Sequence, residues 1–154
     1  MTGFQTIGFI GLGVMGEPMC RNLKAKTDAR IMGFDIRSEP MENLADVGVT
    51  AGRSVAELAA ECDLVLLSLP GRPEVEEVCL GPDGIADHGK PDLVVADLST
   101  CPVATARKVG AGLERRGIAF ADAPVTRTAV AALDGTLSIM VGGDPGLFER
   151  LKPL

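Results

Sequence analysis

The 154-residue sequence has no tryptophan, no tyrosine and a single histidine, His88. Without Trp or Tyr it offers little surface on which bases could stack. Fifteen basic residues against twenty-one acidic ones give a net charge of -6, with no basic cluster to follow a phosphate backbone. Nucleic acid is therefore not an expected partner. Four cysteines, Cys20, Cys62, Cys79 and Cys101, lie far apart with no C-x-x-C pair among them. With one histidine to assist, they suggest neither a disulfide framework nor a metal site. No apolar run approaches the ~18 residues of a membrane span. The opening "MTGFQTIGFIGLG" has no basic start and no cleavage-like site, so it reads as a first strand rather than a signal peptide. The expectation is a soluble, cytoplasmic protein of one domain, with no membrane partner.

What the chain does contain is an alternation of strand-like and helix-like segments. "TIGFIGLG", "ARIMGFD", "VTA", "DLVLLSLP", "LVVADLST", "IAFADAPV" and "TLSIMVGG" read as strands. Between them, "VMGEPMCRNLKAK" places Met15, Met19 and Leu23 at helical spacing, with Pro18 tolerable in a first turn. "SEPMENLADVG" reads as a helix capped by Ser38 and stopped at Gly48, and "SVAELAAEC" as one opened by a Ser54–Glu57 capping box. "PEVEEVCL" and "CPVATARKVGAGLERRG" are two further helices, and 81–84 reads as a loop. Apolar residues on consecutive positions of the central strands indicate cover on both faces. The fold class is α/β: a Rossmann-type doubly wound, mostly parallel sheet with helices on both faces. "DPGLFERLKPL" opens a last helix, capped by Asp144 with Pro145 at its first position. Leu147, Phe148 and Leu151 on it seek a partner surface, in a terminal helix docked on the sheet or in a chain cut from something longer.

Gly11, Gly13 and Gly16 form G-x-G-x-x-G between the first strand and the first helix. In that setting the first glycine permits a tight turn, the second lets a pyrophosphate approach the backbone, and the third lets helix and strand pack closely. A glycine-rich turn without a ligand is the plainer alternative. Asp35 ends the second strand, 24 residues after Gly11, where a carboxylate accepts the ribose hydroxyls of NAD and repels a 2′-phosphate. Arg37 could serve such a phosphate, which leaves NADP possible beside the expected NAD.

Taken together, "GFIGLGVMGEPMCRNL", "DLST" and "DAPV…GTLSIMVGG" resemble the β-hydroxyacid dehydrogenase family, which includes 3-hydroxyisobutyrate and tartronate semialdehyde dehydrogenases. The resemblance runs from about residue 5 to the end. It implies an NAD(P)-dependent oxidoreductase that reduces a small semialdehyde or oxidises a 3-hydroxy acid. By this resemblance Gly11, Leu12, Gly13, Val14 and Met15 line the pyrophosphate loop and Asp35 meets the ribose. Leu69 and Pro70 lie beside the nicotinamide half, and Ser99 and Thr100 match the family's Ser-Thr, the threonine near the nicotinamide ribose. The family usually has Asn where Gly71 stands, and a proline at Val103 where this chain has Pro102 one place earlier.

The larger departure lies in the substrate loop. The family pattern D-A-P-V-S-G-G-x-x-G-A holds a substrate carboxylate with a serine hydroxyl and glycine amides; this chain has Thr126, Arg127 and Thr128, then Ala131. Thr126 keeps a hydroxyl, and Arg127 supplies a charged bidentate donor suited to a carboxylate, sulfonate or phosphonate. A surface loop arginine is the plainer reading. The family's catalytic lysine sits in a glycine-containing helix motif that does not occur here, and Lys152 lacks its context. The chain thus reads as the cofactor-binding part, the catalytic lysine lying beyond Leu154 in an all-helical domain, with a homo-oligomeric full-length form. An autonomous nucleotide-binding or interaction module without turnover is the alternative. His88 is read as a solvated loop residue and Cys101 as a small packed one.

Overall fold

The structure, a computed structural model, describes residues 3–154. Its first half runs β1 (Thr6–Ile10), α1 (Gly16–Lys26), β2 (Arg30–Phe34), α2 (Glu39–Ala45), β3 (Thr50–Ala51), α3 (Val55–Glu61) and β4 (Leu64–Leu67). The second half runs α4 (Arg72–Leu80), α5 (Ile85–His88), β5 (Val94–Asp97), α6 (Val103–Glu114), β6 (Ala119–Asp122), β7 (Val125–Thr126), α7 (Ala129–Leu133), β8 (Ser138–Ile139) and α8 (Pro145–Leu151). Six strands pair in the order β3-β2-β1-β4-β5-β6, all parallel. The order reverses between β1 and β4, and a doubly wound sheet opens its ligand crevice at that point, outside the strands' C-terminal ends.

Because the central parallel strands are covered on both faces, alternate residues enter two separate cores. Phe9, Leu64, Leu66, Val94 and Ala96 pack with Cys20 and Leu23 of α1. Ile10, Val65, Leu67 and Val95 pack on the other side with Val75, Cys79, Val109 and Leu113 of α4 and α6. Pro18 falls in the first turn of α1, where no N–H is missed. Among the described residues no helix is long and apolar enough to cross a membrane.

Two capping expectations need correction. Ser38 precedes α2 but has helical backbone angles (φ -75°, ψ -33°), and its side chain makes no capping bond; Pro40 in the first turn sets the start instead. Ser54 does cap α3, its Oγ accepting the Glu57 N–H at 3.1 Å. Glu57 does not reciprocate on Ser54, since its carboxylate is taken by the backbone N–H and guanidinium of Arg53.

The final stretch departs most from a pair of strands and a turn. Strands β7 and β8 are two residues each, antiparallel, and outside the main sheet, with α7 between them. Asp122 and Gly142 exchange backbone hydrogen bonds at 3.0 and 2.7 Å, closing the excursion back onto β6. Helix α8 is capped as expected, Asp144 Oδ1 accepting the Leu147 N–H at 3.1 Å. Leu147 and Leu151 are buried and Phe148 is partly exposed, so the helix is docked on the sheet.

Candidate functional site

The turn after β1 is built on three glycines that are glycine for different reasons. Gly11 has φ +88°, donates its N–H to Phe34 O at 3.0 Å, and would place a Cβ 2.2 Å from the carbonyl oxygen of Ser68. Gly16 opens α1, and a Cβ there would lie 1.9 Å from Gly11 O. Both are excluded from bearing a side chain by the protein itself. Gly13 is different: nothing lies within 4 Å of its missing Cβ. It lies three residues before an eleven-residue helix, and the Gly13 and Val14 N–H groups donate to no protein acceptor among the described residues. A smooth backbone with free donors at the positive end of a helix dipole fits a pyrophosphate.

Asp35 stands directly after β2, one strand over. Its Oδ2 accepts the Leu12 N–H at 2.8 Å, and its Oδ1 accepts the Arg37 N–H at 2.9 Å and Arg37 Nε at 3.2 Å. Burial pushes its pKa up, but the two backbone donors and the Arg37 guanidinium outweigh that and hold the carboxyl below its ordinary 3.8. Oδ2, with one bond made, retains a lone pair for a ribose hydroxyl, while Oδ1 is taken up by its two bonds from Arg37.

A cleft of about 610 Å³ opens at the C-terminal edge of β2, β1 and β4, within the range of small-molecule sites. Gly11, Gly13, Val14, Met15, Gly16, Asp35, Arg37, Leu69 and Pro70 all line it. Leu12 does not: its side chain is buried in the core, and its part is the N–H given to Asp35. Ile36, Ser68, Glu74, Glu77 and Val78 also line the cleft and were not anticipated. Glu74 and Val78 are spaced i, i+4 on a helix that follows the switch-point strand, which could have put them on the cleft side. Gly71 is extended (φ 171°), with nothing within 4 Å of its missing Cβ, so the backbone would accept the family's asparagine there. A hollow of about 400 Å³ on one face of the sheet, bounded by Phe9, Leu66 and Phe148, has a mostly apolar wall and does not meet these residues.

Thr100 is exposed and outside the cleft lining, while its neighbour Ser99 is buried with its Oγ accepting the Leu69 N–H at 2.9 Å. Pro102 occupies the position before α6, and its carbonyl accepts from Thr105 N at 2.8 Å, so the altered proline placement keeps the helix start. Thr126, Arg127 and Thr128 are exposed and also outside the cleft lining. The helix that follows them, α7, does border the glycine turn. Ala129 and Leu133 of α7 share a hollow of about 340 Å³ with Gly13 and Val14, and Asn22 Nδ2 on α1 donates to the Ala132 carbonyl at 2.9 Å. Arg127 has φ +89° and, among the described residues, no hydrogen-bond or ion-pair partner. It holds a glycine's backbone conformation with an arginine side chain.

His88 is on the one-turn helix α5 rather than in a loop, its Nε2 3.2 Å from Asp83 Oδ1, at the end of the molecule where chains enter the sheet. Cys101 is only partly exposed, and burial first, then the Asp97 charge, push its thiol up to about 11, away from nucleophile chemistry at neutral pH.

The geometry agrees with relatives identified by sequence and structure. The family model described as the NAD binding domain of 6-phosphogluconate dehydrogenase matches residues 6–154. An NAD-dependent L-serine dehydrogenase of Pseudomonas aeruginosa is 38% identical over 97% of this chain and 50% of its own length. A 3-sulfolactaldehyde reductase of Escherichia coli is 33% identical over 96% of this chain and 49% of its own. The solved Mycobacterium tuberculosis 3-hydroxyisobutyrate dehydrogenase with L-serine superposes with a TM-score of 0.89 at 35% identity, over 97% of this chain and 50% of that one. The chain thus spans about half the length of the relatives it matches, and that half is the cofactor-binding one. With the fold, the glycine turn and these matches in agreement, the chain belongs to the β-hydroxyacid dehydrogenase family, as its NAD-binding domain.

Proposed function

We propose that residues 1–154 form the dinucleotide-binding domain of a cytoplasmic, homo-oligomeric dehydrogenase that interconverts a small 3-hydroxy acid and its semialdehyde. The reading is carried by one observation: the open approach at Gly13 and the paired Asp35 carboxylate border the same cleft. Gly13, Val14 and Met15 would hold the pyrophosphate and Asp35 the adenosine ribose, with Leu69 and Pro70 toward the nicotinamide. Bound there, the nicotinamide supplies hydride transfer. The proton falls to a lysine outside these residues, in the all-helical part of the full-length protein.

NAD is preferred over NADP. Asp35, Glu74 and Glu77 line the cleft with carboxylates, while Arg37, the guanidinium that could answer a 2′-phosphate, is already engaged by Asp35. The substrate carries a terminal anion that Arg127 grips, with Thr126 and Thr128 as hydroxyl donors. A guanidinium free of protein partners among the described residues, two positions before a helix that borders the glycine turn, supports this, and the sulfonated aldehyde named for the Escherichia coli relative is the kind of compound such a residue suits.

Parallel titrations with NADH and NADPH provide the test. NADH should bind more tightly, and Asp35→Ala should erase the difference. NADPH binding as tight as NADH, and unaffected by Asp35→Ala, would overturn the cofactor assignment.

A further inference from the structure

At the C-terminal edge of the sheet, Leu67, Asp97 and Asp122 are register partners on β4, β5 and β6. Asp97, the middle one, is fully buried, and its atoms reach the loops that leave β5 and β6. Its Oδ1 accepts the Ser99 N–H at 2.9 Å, in the loop after β5. Ser99 passes the link on, its Oγ accepting the Leu69 N–H at 2.9 Å in the loop after β4. The Asp97 carbonyl oxygen accepts the Ala123 N–H at 2.8 Å, at the start of the run that leads to Thr126 and Arg127. Its Oδ2 is buried with no hydrogen-bond partner among the described residues.

An aliphatic side chain would fill this space without an unsatisfied oxygen, so the carboxyl is a costly occupant of a site that packing alone would give to something else. What an aliphatic residue lacks is the acceptor that orients Ser99. A dinucleotide laid across the switch point runs from Asp35 at β2, over the glycine turn at β1, to the β4–β5 side. Leu69 and Ser99 are therefore at the end remote from the adenosine.

We propose that Asp97 is a positioning residue for the nicotinamide end of the cleft, setting the Leu69–Pro70 loop through Ser99 so that its shape is fixed before cofactor arrives. This rests on the cofactor reading above. Asp97 touches neither ligand nor reacting atoms; it acts through Ser99.

The test compares two probes by calorimetric titration of the purified protein: NADH, and ADP, which has the adenosine and pyrophosphate but not the second ribose or nicotinamide. Asp97→Ala and Ser99→Ala should each weaken NADH by roughly fivefold to tenfold, the cost of losing one orienting hydrogen bond, and leave ADP unchanged. Asp97→Asn, which keeps an acceptor for Ser99, should restore NADH affinity. If Asp97→Ala does not fold, Asp97→Leu, which fills the space without offering Ser99 an acceptor, takes its place with the same expected outcomes. Equal loss of NADH and ADP, or no loss of either, overturns the positioning role while leaving the cofactor site standing. Failure of the unaltered protein to bind either probe overturns both.

Discussion

The Asp35 carboxylate accepts the Leu12 N–H at 2.8 Å across 23 residues, so the group proposed to meet a ribose also pins the turn that would carry the pyrophosphate. Ala at position 35 removes both functions. In ligand-free protein, Asp35→Ala should cost about 1–3 kcal/mol at neutral pH, because the Leu12 N–H loses its acceptor. The folded-state carboxyl titrates below its ordinary 3.8, so its contribution is present above that value and lost as pH falls through the folded pKa. Urea unfolding at neutral and acid pH should show the deficit shrinking in acid; a pH-independent deficit would mean that the charge contributes nothing.

Gly13 and Gly16 should separate binding from folding. Gly13→Ala adds a methyl group to open space and should leave Tm unchanged, yet weaken NADH by roughly tenfold or more by keeping the pyrophosphate off the backbone. Gly16→Ala drives a Cβ against Gly11 O and should lower Tm clearly even without cofactor. Thermal unfolding with and without NADH distinguishes the two; similar Tm losses for both would contradict the assigned division.

Arg127→Gly should act in opposite directions on stability and function. Releasing a side chain from φ +89° should stabilise the fold by about 0.5–1 kcal/mol after glycine's greater unfolded-state freedom is counted. In the full-length enzyme the same change should raise KM for an anionic substrate roughly tenfold, with kcat less affected. Steady-state kinetics on matched carboxylate and sulfonate substrates would show it, and an unchanged KM for both would remove Arg127 from the substrate site.

Asp97 offers a pH signature of its own. Burial first, then the nearby Asp122 charge, raise its carboxyl above 3.8 against the opposing hydrogen bonds from Ser99. Above 3.8 the unfolded chain releases that proton more readily than the folded one, so the wild type loses stability as pH rises through this window. Asn does not titrate. The Tm of Asp97→Asn relative to wild type should therefore climb as pH rises above the ordinary 3.8; a flat difference would mean that the buried carboxyl is not perturbed.

Much of the cofactor edge was legible because it is local. The turn at Gly11–Gly16, the strand that precedes it and the acidic residue ending β2 each follow from a few adjacent residues. Ser54 and Asp144 were readable as caps for the same reason. Ser38 was not, because a proline two residues on can start a helix without a side-chain bond. The excursion from Val125 to Ile139 was missed as architecture because its two-residue strands have no periodicity; a non-local pairing of Asp122 with Gly142 closes it. Likewise Ser99 and Leu69 are 30 residues apart, and "DLST" and "LP" do not reveal in the sequence that one holds the other.

The left-handed backbone at Arg127 also bears on how a family diversifies. A backbone shape that suits glycine here carries arginine, so the same path is open to either residue. If Arg127 contacts substrate as proposed, anion preference there could be exchanged by single replacements, in either direction, without rebuilding the chain around it. The conformational strain at one residue then leaves glycine open as a way back.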